Sequence, residues 1–387
     1  MTELGQAERP DVPTDAAIPL ARPWIDEHEE ELVLEVMRSG RLSLGPWIDR
    51  FERSLARRVG APYAAAVSSG TAGLHLLCHI AGLRPGDEAI TSPLSFVASA
   101  NCFILEGAAP VFADVDPVTL NMDPAAVEAS ITDRTRAIVA VDMFGYPCEL
   151  DELRAIARRN GLVLVEDACE ALGAEYKSRP LGAHGESAVF AFYPNKQLTT
   201  GEGGVVVTHS EEVWRQVVSL RNQGRSYEEG AGWFNHVRLG LNYRWTDLQA
   251  AIGIAQLEKL DRILELRAAA ARRYGELLAD VDGVETPAPD DSEHRRSWFV
   301  YVVKLDAGLD RDSVMALLRR DGIATAEYVP CVHLQPYMRE RFGFGEGLCP
   351  VAELTARRTI ALPFFTQIEA EDQARVVDAL RDAIERS

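Results

Sequence analysis

From residue 26 to 245 the chain alternates between stretches of helical period and short apolar runs rich in β-branched residues: "AAAV" at 64, "EAIT" at 88, "PVFADV" at 110, "AIVAVDMF" at 137, "LVLVEDA" at 162, "SAVFAF" at 187 and "GGVVVT" at 203. Runs of this kind suit strands buried on both faces. Strands spaced by helices predict an α/β fold, a mostly parallel central sheet flanked by helices. Ligands of such sheets gather beyond the carboxyl ends of the strands. "TDLQAAIGIAQLEKLDRILELRAAAARRYGELL", from 246, predicts one long helix, with a capping box at Thr246 and Gln249 and an apolar stripe of Ala250, Ile254, Leu257, Leu260 and Leu264. After a Pro and Asp break at 287 to 291, "SWFVYVVKL" (297 to 305) reads as a strand and "DSVMALLRRDGI" as a helix. The organisation expected is a polar tail over 1–17, a large domain over 18–255, and a linking helix with a smaller C-terminal α+β domain over 256–387.

Composition narrows the classes. Of 387 residues, 40 are Lys or Arg and 59 are Asp or Glu, a net charge of −19 that disfavours nucleic acid and anionic membrane as partners. The six cysteines show no metal-ligand spacing, so no metal site is expected. No apolar run approaches membrane-spanning length, and the first 17 residues lack the basic start and apolar core of a signal peptide. A cytoplasmic protein with reduced thiols is the expectation. Lysine occurs only at 177, 196, 259 and 304, so amine chemistry has few residues to use.

In "AFYPNKQLTTGEGG", Lys196 follows a strand by a short turn, where a desolvated amine can form an imine with a carbonyl. Asp167 ends the strand "LVLVED"; a carboxylate there suits the protonated pyridine nitrogen of pyridoxal phosphate. "VSSGTAGLHLL" runs from a strand through Gly70 into a helix, whose first N–H groups can hold a phosphate. "TSPLSFVASAN" offers Phe96 as a ring that stacks on a planar cofactor, and "LGLNYRWTDLQ" places Asn242 and Arg244 before the long helix. Each has a plainer role as well. Lys196 serves as a surface loop lysine, Asp167 with Glu170 as a capping box, the Ser-Gly-Thr run as a helix cap, Phe96 as core packing, and Asn242 and Arg244 as loop hydrogen bonding.

Together and in order, "SSGTAGL", "PLSFVASAN", "VEDACEALGA", "FYPNKQLTTGEGG", "LGLNYRWTDLQAAIGIAQLEKL" and "YVPCVHLQPY" resemble the DegT/StrS-type nucleotide-sugar aminotransferases, across residues 18 to about 370. The resemblance implies the pyridoxal-phosphate-dependent transferase fold of type I, and a homodimer with active sites shared across the interface. It makes Lys196 the Schiff-base lysine and proton shuttle, Asp167 the partner of the pyridine nitrogen and Phe96 the stacking ring. The backbone of Gly70, Thr71 and Ala72 takes the phosphate, which Asn242 of the other subunit also reaches, and Glu170 lies beside the cofactor. His333, Tyr193 and Arg244 line the substrate pocket. Glutamate is the implied amino donor and a nucleotide-linked keto sugar the acceptor. The "LTTGEGG" style points to carbon 4 of a 4-keto-6-deoxyhexose or pentose, with a 3-keto sugar or keto-inositol as the alternative.

Two positions depart from the family pattern. Ala191 stands where many relatives carry a phosphate-binding serine, and Glu170 stands where Gln is common; an ionised Glu170 would repel a phenolate, so it is either protonated or turned away. A dehydratase of the same fold would have histidine in place of Lys196. A non-catalytic regulatory protein that binds the cofactor would usually carry an added DNA-binding domain, for which only the short N-terminal tail is spare.

Overall fold

The computed structural model describes residues 18–226, 230, 232–328 and 330–387. The expected N-terminal tail, 1–17, lies outside the described residues. Thirteen strands occur among them. They are β1 (Tyr63–Val67), β2 (Glu88–Thr91), β3 (Ala109–Phe112), β4 (Thr135–Val141), β5 (Val163–Asp167), β6 (Glu175–Tyr176), β7 (Arg179–Pro180), β8 (Ser187–Ala191), β9 (Gly204–Thr208), β10 (Val284–Glu285), β11 (His294–Arg295), β12 (Tyr301–Leu305) and β13 (Thr359–Leu362).

The seven apolar runs read from the sequence are the seven strands of the central sheet, in the order β1-β9-β8-β5-β4-β2-β3. Neighbours from β8 to β3 are parallel, and β9 runs antiparallel to both β1 and β8. Successive side chains leave opposite faces of a strand, so both faces must be covered. Ala65, Val67, Val139, Val165, Val189 and Val206 pack beneath the helices Gly70–Ile80 and Ala98–Leu105. Ala64, Ala66, Ile138, Ala140, Leu164, Ala188, Phe190, Val205 and Val207 meet the helices Pro46–Val59, Leu150–Asn160 and Asp247–Glu258 on the other face. Each fully buried valine contributes roughly 1.5–3 kcal/mol, which is why these strands read as continuous apolar runs.

The expected long helix is two. Thr246 and Gln249 form the capping box, but the helix Asp247–Glu258 ends at Lys259, and Leu260–Leu278 follows. Lys259 Nζ lies 2.8 Å from both Asp26 Oδ2 and Glu29 Oε2, at the start of the helix Glu27–Ser39. Leu257 and Leu260 carry the stripe through the break, so periodicity does not mark it.

Beyond it, β10, β12 and β13 form a three-stranded antiparallel sheet. Tyr274, Tyr301, Val303, Leu318, Ile360, Leu362, Val376 and Leu380 pack around it as a second core. The expected strand over 297–305 begins only at Tyr301; Ser297 instead bonds Gly145 and Gln197, in the loops that follow β4 and β8. All six cysteines are free thiols. Among the described residues no helix is long and apolar enough to cross a membrane.

Candidate active site

Strand register collects the chemistry at one edge of the sheet. Gly204, which opens β9, pairs with Val67 on one side and Ala191 on the other. The turn after β1 and the turn after β8 therefore leave the sheet side by side, next to the end of β5, where Asp167 pairs with Val141 of β4 and Val189 of β8.

Asp167 is buried and well supplied with donors. Ser99 Oγ donates to its Oδ2 at 2.7 Å, and the Cys169 N–H donates to Oδ1 at 3.3 Å. Ser95 Oγ lies 2.6 Å from Ser99 Oγ, extending the chain of hydroxyls. Residues 168–171 form a turn and no helix follows, so the capping-box role does not apply to Asp167.

Lys196 is held in a tight turn by its N–H to Tyr193 O, 2.9 Å, and its side chain is only 13% exposed. Its Nζ lies 3.5 Å from Glu170 Oε1 and 3.9 Å from the centroid of the Phe299 ring. The other three lysines sit in ion pairs elsewhere: Lys177 with Asp151, Lys259 with Asp26 and Glu29, Lys304 with Glu285. The role of surface loop lysine is thereby overturned for Lys196. Gln197 fixes the turn from below, its Nε2 donating to Glu170 O at 2.6 Å, Ser297 O at 3.0 Å and Ser297 Oγ at 2.7 Å.

Glu170 points at the lysine. Its Oε2 accepts the Phe144 N–H at 3.0 Å; burial pushes its carboxyl above the usual glutamate range, against the pull of Lys196 and that N–H. Tyr328 completes the wall. It lies between the Phe144 and Phe299 rings, with its OH accepting from Asn195 Nδ2 at 3.2 Å, and burial raises its phenol. Asn195 Oδ1 is buried beside it without a partner.

The start of the helix Gly70–Ile80 forms a close-packed cradle. A Cβ on Gly70 would meet Cys169 Sγ at 2.8 Å and the Ala191 methyl at 2.9 Å, and one on Gly204 would lie 2.7 Å from Gly70 N. The first intrahelical bond is Gly73 N–H to Ser69 O, which leaves the Gly70 and Thr71 amides ahead of it, pointing out of the helix end. The Ala72 N–H is taken by Ser69 Oγ at 3.1 Å, so the expected phosphate contact of Ala72 is already used by the cap.

The remaining expected residues divide. Phe96 and Tyr193 stand exposed, so Phe96 is not core packing. Asn242 is exposed, and the segment carrying it is tied to the cradle by Ser68 N–H to Tyr243 O, 3.0 Å. Arg244 bonds Asn222 Oδ1 at 3.2 Å and lines a separate cavity of about 160 Å³ with Glu52 and Arg221. His333 is fully buried, its Nε2 3.0 Å from Glu353 Oε1 and its ring against Phe112. Within this chain it has no surface to offer a sugar, and the expectation that it lines the pocket is corrected. The sequence reading missed Ser99, Phe299 and Tyr328. Ser99 and Tyr328 both lie inside motifs already quoted, but nothing in their spacing says what they touch.

A family model matches residues 23–381, described as the DegT/DnrJ/EryC1/StrS aminotransferase family. The chain belongs to this family. It is 38% identical over 378 residues to the spore coat polysaccharide biosynthesis protein SpsC of Bacillus subtilis, covering 95% of this chain and 97% of that one. Among solved structures it is similar to S. venezuelae DesV in complex with a ketimine intermediate, with TM-score 0.89, 34% identity, and 96% and 99% of the two chains covered. It is also similar to Helicobacter pylori PseC, an aminotransferase of pseudoaminic acid biosynthesis, with TM-score 0.90, 26% identity, and 96% and 100% covered.

The protein is thus a pyridoxal-phosphate-dependent sugar aminotransferase with the expected fold. Its residues fit that cofactor: a backbone cradle too tight for any side chain at 70, a carboxyl group held by donors at 167, and an enclosed amine at 196.

Proposed function

We propose that the chain moves an amino group from glutamate to carbon 4 of a nucleotide-linked 4-keto sugar, a 6-deoxyhexose first and a pentose next. The single observation that carries the site assignment is the enclosure of Lys196, alone among four lysines, between Glu170 and Phe299 at the strand edge beside Asp167. Carbon 4 rests on the "LTTGEGG" segment after the lysine. A sugar acceptor agrees with the polysaccharide and pseudoaminic acid roles printed for SpsC and PseC.

Pyridoxal phosphate, when bound, supplies an aldehyde for the amine and a ring that accepts electrons. The protein's own groups do the rest. Lys196 would hold the coenzyme through its Nζ and, once displaced, would serve as the base that moves the proton. Asp167 would pair with the pyridine nitrogen, and Ser99 holds Asp167 in place through its hydroxyl. The Gly70 and Thr71 amides hold the phosphate at the positive end of their helix. Phe96 would cover the ring and Tyr193 would face the sugar nucleotide; Arg244, turned to Asn222 and a separate cavity, is not given that role.

The active unit of this reading is a homodimer. Trp233, Phe234, Val237 and Leu239 are exposed, Leu239 at 90%, an apolar stretch that a second subunit would cover; Asn242 at its end then reaches the partner's phosphate site. The six free thiols suit the cytoplasm.

Borohydride reduction of the loaded protein followed by peptide mapping tests the assignment: the label is expected on Lys196, and a label on Lys177, Lys259 or Lys304 overturns it. A panel of nucleotide-linked keto sugars then sorts carbon 4 from carbon 3 and from free keto-inositol. Mixing inactive Lys196→Ala and Asn242→Ala subunits should restore partial activity in the heterodimer, which a site confined to one subunit would not allow.

A further inference from the structure

Lys177 and Lys304 pair with carboxylates that are at least two-fifths exposed, and Lys259 shares the buried Glu29 with a second, exposed carboxylate, Asp26; Lys196 instead faces Glu170, 12% exposed and fixed by a backbone N–H. An ion pair this dry holds its charges poorly, because both ions have lost water and only one neutral donor compensates the carboxylate. The alternative state of the pair, a neutral amine beside a neutral carboxylic acid, keeps the contact and removes both buried charges. It is also the state a nucleophilic lysine requires, since only the unprotonated amine attacks a carbonyl.

We propose that Glu170 is the proton partner of Lys196: its carboxylate takes the ammonium proton as the amine is freed to react, and returns it when the amine is released. The N–H bond breaks with its electron pair left on Nζ, an O–H bond forms on Oε1, and no other reactant is needed. This deepens the proposed reaction and rests on Lys196 being its reacting amine. Burial already biases Glu170 toward the protonated form. The other titratable groups around it are Asp167, Cys169 and Tyr328. Asp167 disfavours the Glu170 anion, and the thiol and the phenol are themselves raised, so they stay neutral across the working range. The resolution of the repulsion expected from an ionised Glu170 is that the carboxyl faces the amine and carries the proton at the moment the amine does not.

The scarcity of lysine makes the test direct. The full chain, freed of coenzyme and reductively methylated with ¹³C-formaldehyde, carries dimethyl resonances at four lysines besides the amino terminus, each assigned by one Lys→Arg variant. In the wild type the Lys196 resonance should move in a separate step above the ordinary glutamate range. Glu170→Gln, which keeps an acceptor for the Phe144 N–H, should abolish that step and leave the other three lysines unchanged. A Lys196 resonance with no such step in the wild type overturns the proposal, as does a step that survives in Glu170→Gln. The wild-type titration decides even if the Gln variant misfolds. Absence of the step in the wild type with the borohydride label still on Lys196 sinks this proposal alone; a label elsewhere sinks the reaction and the proposal together.

Discussion

Glu166 and Asp167 are neighbours on β5 that face opposite sides of the sheet, and their surroundings could hardly differ more. Asp167 receives a hydroxyl at 2.7 Å and a backbone N–H at 3.3 Å. Glu166 receives one long bond, from Gly182 N–H at 3.3 Å, and its Oε2 has no partner. Ala140 of β4 is paired with Glu166, which puts Asp142, two residues on, on the same face; Asp142 Oδ1 accepts from Cys148 N–H at 2.9 Å, and its Oδ2 also lacks a partner. Burial raises both carboxyls, Asp142 to about 7, and Asp142 raises Glu166 further. A carboxylate that must stay charged in a protein interior is given donors; one without them keeps its proton. The strand thus separates a carboxyl group with a donor on each oxygen from a pair that each leave one oxygen without a partner.

The largest effect expected from breaking this contrast is at Asp167. Asp167→Ala should lower transamination by roughly 100-fold or more, about 2.7 kcal/mol, in steady-state assays with the fold intact by circular dichroism; an unchanged rate would return Asp167 to a structural role.

Asp142→Asn should act on stability alone. An aspartate ordinarily at 3.8 is held at about 7 in the fold, so the folded state binds a proton that the unfolded state has lost. The contribution of Asp142 to stability is therefore fullest below pH 3.8, falls as pH rises toward about 7, and levels off above it. The carboxamide introduced by this change has no proton to lose and can donate to Glu166, so the variant should gain about 2 kcal/mol at pH 8, within the ~4 kcal/mol that the pKa gap allows, and much less at pH 4. Urea midpoints at the two pH values check the sign. Ser99→Ala, which strips one donor from Asp167, should cost about tenfold in rate, roughly 1.4 kcal/mol. An equal loss for Ser99→Ala and Asp167→Ala would mean that the hydroxyl, not the charge, matters most.

The same contrast explains what the sequence shows and what it hides. Sheet strands were legible because burial on two faces requires unbroken apolar runs, and Asp167 and Lys196 stood out as polar residues just where such runs stop. The phosphate cradle was legible from Gly70, whose lack of a side chain follows from the approach of Ala191 and Cys169. Ser99, Phe299 and Tyr328 were not, since their value lies in contacts spanning 68 residues in one case and more than 100 in the others. His333 misled for the opposite reason: a histidine near the end of a recognisable motif looks available, and only packing reveals that Glu353 and Phe112 enclose it. The break at Lys259 escaped because it does not interrupt the apolar period, whereas β13, "TIAL", is a short apolar run that the sequence reading passed over.

Phe144 adopts a left-handed backbone, φ 55° and ψ 25°, costing on the order of 1 kcal/mol for a residue with a side chain. The next residue, Gly145, lies so close to Ser297 O that a methyl group there would strike it, and its carbonyl accepts the Ser297 N–H at 3.0 Å. The kink at 144 thus serves as a rivet between the sheet and the stretch leading to Phe299. Prying the C-terminal unit away would strip Ser297 from Gln197 and take the aromatic floor from beneath Lys196 in the same movement, so mechanical opening of this seam would disarm the amine.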